Sequence, residues 1–279
     1  MKNILIIICL ISFSSIHGQD TNYVNIKQNK IKTIIVKSYK KDNNKRYNLQ
    51  NKTIYNFNKI FKLINEFVIE EKDTVLEKYY SYDSLLEINT YYKKQKIRHE
   101  IFDSLDNIIE ICSFSTNNKK LFCKNISYEY IHDNKRLITK KTLDDDKKII
   151  LKENYYYNSD NDILKIEKCD NNDSIINYIT YEYKCGLLVF EAYRNIDDSV
   201  QKYVEYIYNS RDKIQEITKG YYGVHSAGDL KIGSNIFVVG GKLTHYEKYL
   251  FKYENDILSR IKLSRKDESF KYEYEYNFF

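Results

Sequence analysis

Residues Tyr181 to Tyr193 read YEYKCGLLVFEAY. Tyr181-Glu182-Tyr183 alternates aromatic and polar residues, which is the period of a strand. Lys184-Cys185-Gly186 turns the chain, and Leu187 to Tyr193 resumes an apolar strand. Asn195-Ile196-Asp197-Asp198-Ser199 turns it again, because Asp, Asn and Ser bond their own backbone and accept left-handed geometry. Val200 to Glu205 then leads to Tyr206-Ile207-Tyr208, where the pattern restarts. Two strands and two turns make one step of an antiparallel meander.

The aromatic triplet recurs along the chain. It stands at Tyr55-Asn56-Phe57, Tyr80-Ser81-Tyr82, Tyr128-Glu129-Tyr130, Tyr155-Tyr156-Tyr157, Tyr181, Tyr206, Phe251-Lys252-Tyr253 and Tyr274-Glu275-Tyr276, with a degenerate copy at Glu100-Ile101-Phe102. Successive first positions differ by 25, 20, 28, 27, 26, 25, 45 and 23 residues. A period of about 25 residues marks a repeat protein whose units stack because none buries a face alone. The expected fold is all-β: a curled antiparallel meander of about eight two-stranded repeats over residues 55–279, preceded by an N-terminal strand region at 19–54. An open sheet is expected to curl, since strongly twisted sheets rarely exceed about ten strands while flat.

Composition fits that reading. The chain holds 29 Tyr, 13 Phe, no Trp and no Pro. Tyrosine suits a half-buried pleated surface, packing its ring while its hydroxyl stays wet. Charged residues interleaved among the tyrosines protect strand edges in place of Pro. The net charge is +6, spread evenly, and the densest basic stretch is Lys37 to Lys45. Nucleic-acid binders concentrate such charge on one face, so no nucleic-acid partner is expected.

Met1-Lys2-Asn3, an apolar run from Ile4 to Phe13 and the small Gly18 read as a signal peptide, residues 1–18. The run is shorter than the roughly 20 residues a membrane helix needs, and no later segment is long and apolar enough to span as one. The expected location is secreted, periplasmic or cell-surface. In that oxidising setting Cys112 and Cys123 face each other across a two-residue turn at Asn117-Asn118, within disulfide reach; the alternative is that both are small apolar fillers. Cys169 and Cys185, at turns on opposite edges of the sheet, are expected free or semi-buried.

The Tyr-x-Tyr turn resembles the YD-repeat family of bacterial surface and secreted proteins, related to RHS repeats. That family's unit runs Tyr-Asp-x-x-Gly-x-Leu. Tyr82-Asp83, Phe102-Asp103, Tyr157-Asn158 and Tyr208-Asn209 keep the leading pair. Asp106, Asn134, Asn161 and Asp212 stand where the family has Gly, and Gly186 comes one residue early. Asn and Asp are the nearest substitutes for Gly at positive φ. The resemblance implies a β-repeat scaffold. It does not extend to the toxin-releasing core of large RHS proteins, whose self-cleavage motif contains a Pro that this chain lacks.

Gly220 to Tyr246 breaks the period and holds six of the eight Gly. Inserts in repeat arrays emerge on one face and often carry function, which makes His225, Asp229 and His245 the candidate binding residues. The plainer reading is an extra hairpin, Asn235 to Val239 turning at Gly240-Gly241. No HExxH, GxSxG, CxxC or phosphate loop occurs, so no catalytic residue, metal site or cofactor is expected. The function expected is a non-enzymatic exported scaffold that binds a protein or glycan. The rivals are a small outer-membrane β-barrel and an enzyme with its site in the insert. Against the barrel, Phe270, Tyr272, Tyr274, Tyr276 and Phe278 form one row, which leaves Phe279 on the other.

Overall fold

The structure, a computed structural model, describes residues 30–278 apart from 43–44, 61, 71–72, 84, 106, 132–135, 223–228, 233–235, 240–242, 255–256 and 266–267. The expected signal peptide lies outside the described residues.

The described elements are all strands and turns. The first six strands are β1 (Ile31–Lys41), β2 (Tyr47–Phe57), β3 (Leu63–Glu70), β4 (Asp73–Ser81), β5 (Leu86–Tyr92) and β6 (Gln95–Phe102). Then come β7 (Ile108–Phe114), β8 (Lys120–Ile131), β9 (Arg136–Leu143), β10 (Ile149–Tyr157), β11 (Ile163–Cys169) and β12 (Ile175–Lys184). The remainder are β13 (Leu187–Asn195), β14 (Val200–Tyr208), β15 (Ile214–Tyr222), β16 (Asp229–Ile232), β17 (Ile236–Val239), β18 (Leu243–Glu254), β19 (Ile257–Arg265) and β20 (Ser269–Phe278).

Eighteen strands form one sheet, each antiparallel to its neighbours in chain order, while β16 and β17 pair only with each other. The sheet does not stay open. β1 pairs with β2 on one side and with β20 on the other, so the meander closes into a barrel. This corrects the expected curled array. β1 and β2, taken in the sequence as a separate leading region, bring the count to eighteen, and an even count lets the first and last strands run antiparallel. Closure also removes the two unpaired edges that an open array would leave to charged side chains.

Following directly opposed residues round the wall separates its two faces. One continuous set runs Thr33, Asn56, Asn65, Tyr79, Asn89, His99, Cys112 and Cys123. The alternate set holds Ile34 opposite Tyr55 and Tyr276, and Val36 opposite Thr53 and Tyr274. Ile34, Val36, Tyr55 and Tyr274 are buried in one cluster with Tyr206, Ile217, Tyr249 and Ile261. This second set is therefore the inner face. The aromatic row of the last strand, Tyr272 to Tyr276, points inward.

The outer face carries ion pairs among exposed apolar residues such as Ile207 and Leu250. Lys37 pairs with Glu275 and Lys141 with Glu129. Arg260 pairs with Glu273 at 3.3 Å, Lys248 with Glu216 at 2.7 Å and Lys165 with Glu167 at 2.8 Å.

The hairpins keep their register through a five-residue turn. In Asn158–Asp162 the Asn158 backbone N–H donates to the Asp162 carbonyl at 2.9 Å. Asn158 Oδ1 accepts from the N–H groups of Asp160 and Asp162 at 2.9 and 2.8 Å. Asn161, in the fourth position, has φ 70°. The turns that begin at Asp144, Asp170 and Asn209 repeat the positive φ at Lys147, Asp173 and Asp212. Asp106 and Asn134 lie outside the described residues. Cys185 and Gly186, at φ 52° and 76°, form a shorter two-residue turn between Lys184 and Leu187, which is why that Gly comes early.

Two turns differ from their expected positions. Cys112 and Cys123 stand directly opposite and are joined by a disulfide, with Cα atoms 4.1 Å apart. The turn between their strands is not the two-residue Asn117-Asn118. Ser115 N–H donates to the Lys119 carbonyl, and a bulge between Ser113 and Phe114 restores the register at the cysteines. In the insert, Asp229 pairs with Val239 and Ile232 with Ile236, so the hairpin turns between Ile232 and Ile236 rather than at Gly240-Gly241.

Candidate functional site

Charged residues replace aromatic ones at a few inner positions of β13–β19, and the register lines them up. Glu191 stands opposite Val204, Val204 opposite Lys219, Lys219 opposite Glu247, and Glu247 opposite Arg265. Glu191 is 1% exposed and accepts hydrogen bonds from the hydroxyls of Tyr206 (2.5 Å) and Tyr193 (3.3 Å). Burial raises its carboxyl above the usual range, against the pull of those two donors. Glu247 accepts from Tyr249 Oη and pairs with Arg265 Nε, both at 2.7 Å.

Burial pushes the Lys219 ammonium down to about 8, with neighbouring Lys202 adding to the shift and Glu247 and Glu191 opposing it. Lys202 is also lowered by burial. An amine so shifted resembles a catalytic nucleophile in its proton affinity alone. Lys219 is 3% exposed, so its amine is buried within the wall beside the Glu247–Arg265 pair. The signal of this row in the sequence is slight: Glu191 is the single acid within the apolar run Leu187 to Tyr193.

On the outer face of β13–β15, Phe190, Tyr203 and Tyr222 form a column with ring centroids 5.9 Å apart at each step. Gly220 lies opposite Tyr203 in the register, and a Cβ there would come within 2.0 Å of the Tyr203 ring. Gly is needed in this strand because an aromatic ring occupies its side-chain space. The column stands where β15 ends at Tyr222 and the insert begins.

The three candidate residues of the insert fall differently. His225 lies outside the described residues. Asp229 opens β16, and the His245 backbone stands opposite Tyr221 in β18. Cys169 is buried and Cys185 exposed, both with free thiols. Among the described residues no helix is long and apolar enough to cross a membrane, which leaves spanning by strands as a separate matter.

No protein-family model and no curated protein matches the chain. Two solved structures resemble it at low identity. A porin-like protein from Bacteroides uniformis aligns with TM-score 0.44 and 8% identity over 88% of this chain and 98% of its own. A domain described as an outer membrane lipoprotein-sorting protein from Vibrio parahaemolyticus aligns with TM-score 0.20 and 6% identity over 88% and 86%.

Proposed function

We propose that this chain is a non-enzymatic exported scaffold: a closed YD-like β-barrel that stands in water and binds a protein or glycan of the cell envelope through its outer wall. The observation that carries the reading is the charge on that wall. Lys37 and Glu275 on β1 and β20, Arg260 and Glu273 on β19 and β20, and Lys141 and Glu129 on β9 and β8 are paired outward. Each Lys or Arg at the midplane of a lipid-facing barrel costs roughly 2–4 kcal/mol. The inner face holds a buried apolar cluster, with Ile34, Tyr55, Tyr206 and Tyr274, beside ion pairs such as Glu66 with Lys78 and Glu153 with Lys140.

The second reading, an outer-membrane barrel, draws on the closed eighteen-strand wall, an even antiparallel count of the kind such barrels use. It needs a lipid-facing band where the charged outer rows now stand.

One experiment separates the two. The chain without residues 1–18 is refolded in detergent-free buffer, and envelopes of the producing cells are extracted with carbonate. The water-facing reading expects a monodisperse folded protein in buffer and the native protein in the carbonate supernatant. A folded state obtained only in detergent, with the native protein in the pellet, overturns it in favour of the membrane barrel.

A further inference from the structure

We propose that the outward strip formed by Phe67, Tyr79 and Tyr91 with Glu77 and Glu87, across β3, β4 and β5, docks a lysine- or arginine-rich segment of a partner protein. This rests on the reading of the outer wall as water-facing and names the chemistry of what it binds.

The three rings make a ladder over three adjacent strands. Phe67 and Tyr79 lie 6.0 Å apart at 83°, and Tyr79 and Tyr91 lie 5.8 Å apart at 82°. Register puts all of them on the outer face, with Phe67 opposite Glu77, Glu77 opposite Tyr91, and Tyr79 between Asn65 and Asn89. Tyr79 is 42% exposed. Its hydroxyl donates to Glu77 at 2.6 Å, and Glu87 lies 3.3 Å from His99 Nε2 while its side chain stays 44% exposed.

The strip differs from the rest of the wall in what it lacks. At several other aromatic positions the protein covers its rings with its own cations: Lys62 lies 4.5 Å over Tyr82, Lys165 4.5 Å over Tyr178 and Lys271 4.4 Å over Tyr39. Among the described residues no Lys or Arg lies over Phe67, Tyr79 or Tyr91. Lys96, opposite Tyr91, lies instead over Phe114 at 4.8 Å. The outward carboxylates Glu129, Glu216, Glu273 and Glu275 have Lys or Arg partners, whereas Glu77 and Glu87 have a phenol and a histidine. On a chain of net charge +6, this strip presents carboxylates and ring faces without cations. Its complement is cationic, held by charge pairing at the edges and cation–π contact over the rings. A neutral glycan would gain nothing from the two carboxylates as charges.

The test uses the mature chain and a deca-arginine peptide as probe, with deca-glutamate, a neutral Gly-Ser peptide and a neutral glucan oligosaccharide as controls. Glu77→Gln with Glu87→Gln is expected to weaken deca-arginine binding by about tenfold, and Tyr79→Ala by roughly fivefold. Glu129→Gln with Glu275→Gln, which removes outward acids elsewhere, is expected to leave it within about twofold. Wild-type binding should weaken with added salt, and deca-glutamate should not bind, readings that need no variant to fold. Equal loss in the two double variants, binding of the glucan but not the peptide, or no peptide binding at low salt overturns the assignment. If an envelope partner binds wild type and the Glu77/Glu87 variant alike, the scaffold reading stands and this strip is not its site.

Discussion

The Tyr208 hydroxyl donates to the Leu188 carbonyl at 2.8 Å, joining residues 20 apart in the chain. The same bond runs from Tyr157 to Leu137 at 2.7 Å and from Tyr128 to Ile108 at 2.8 Å, again over 20 residues. Tyr276 donates to Leu258, and Tyr253 reaches Ile214 at 2.9 Å over 39 residues. In these five places the tyrosine therefore stitches the strand that carries the triplet to the strand before it in the sheet. A phenol in this partly buried position needs a partner, and the carbonyl supplies one at a fixed distance along the fold. The bond from Tyr253 bridges the insert, which is how extra residues enter without disturbing the array.

Removing one stitch should cost what one net hydrogen bond contributes. Tyr208→Phe and Tyr157→Phe are each expected to destabilise by about 1 kcal/mol, read as a lower denaturant midpoint with unchanged slope. Tyr92→Phe removes an exposed hydroxyl with no hydrogen bond among the described residues and is expected to stay within about 0.5 kcal/mol. Equal effects at all three positions would remove the stitch from the account of the period.

The two faces of β1 should respond oppositely. Ile34 is fully buried between Tyr55 and Tyr276, whereas Ile35 stands on the outer face beside Glu275. Ile34→Ala is expected to cost about 2–4 kcal/mol. Ile35→Lys is expected to change stability by about 0.5 kcal/mol or less, because it adds a cation next to an acid in water. Loss of folding with Ile35→Lys would count for a lipid-facing wall.

The turns were legible in the sequence because their chemistry is local. An Asn or Asp that opens a five-residue turn and a residue tolerant of positive φ three positions on, as in Asn158 and Asn161, identify themselves without reference to the rest of the chain. Closure was not legible. Ile31 to Lys37 reads as an ordinary alternating strand, and nothing in it says that Val36 meets Tyr274. Phe67, Tyr79 and Tyr91 likewise share no spacing, since their meeting depends on the registers of three strands. The insert's hairpin was placed by its glycines, but pairing put its turn elsewhere.

Gly220 and Tyr203 should behave as one unit. Gly220→Ala drives a methyl into the Tyr203 ring and is expected to destabilise by roughly 1–3 kcal/mol. In a Tyr203→Ser background the ring is gone, so the added cost of Gly220→Ala should fall to near zero. A double-mutant cycle with additive effects would contradict the close approach.

Stability should rise and then fall in alkali. Lys219 has its folded value lowered to about 8 from the usual 10.5, so its contribution is full above the unfolded value and lost as pH falls toward 8. Burial raises the Tyr82, Tyr183, Tyr208 and Tyr253 hydroxyls to about 12, with acids near Tyr183 and Tyr208 adding to the shift. Their contribution is full below the unfolded value of about 10 and lost as pH climbs through 12. Urea midpoints should therefore increase between about pH 8 and 10 and drop above it. Lys219→Met should flatten the first limb only. A midpoint that falls steadily from pH 8 would refute the buried amine.

The insert can be removed at a point the wall itself defines. Tyr222 of β15 stands opposite Leu243 of β18, so the two strands are already a hairpin pair before the chain departs. Replacing residues 223–242 with Asn-Gly supplies a two-residue turn that suits such a pair. The stitch from Tyr253 to Ile214 lies at the other end of these strands and should survive. The shortened chain is expected to keep a cooperative β fold by circular dichroism and thermal melting. If His225, Asp229 or His245 carries the function, partner binding or turnover should vanish in this variant while the fold remains. Binding that persists would take the site away from the insert and return it to the outer wall.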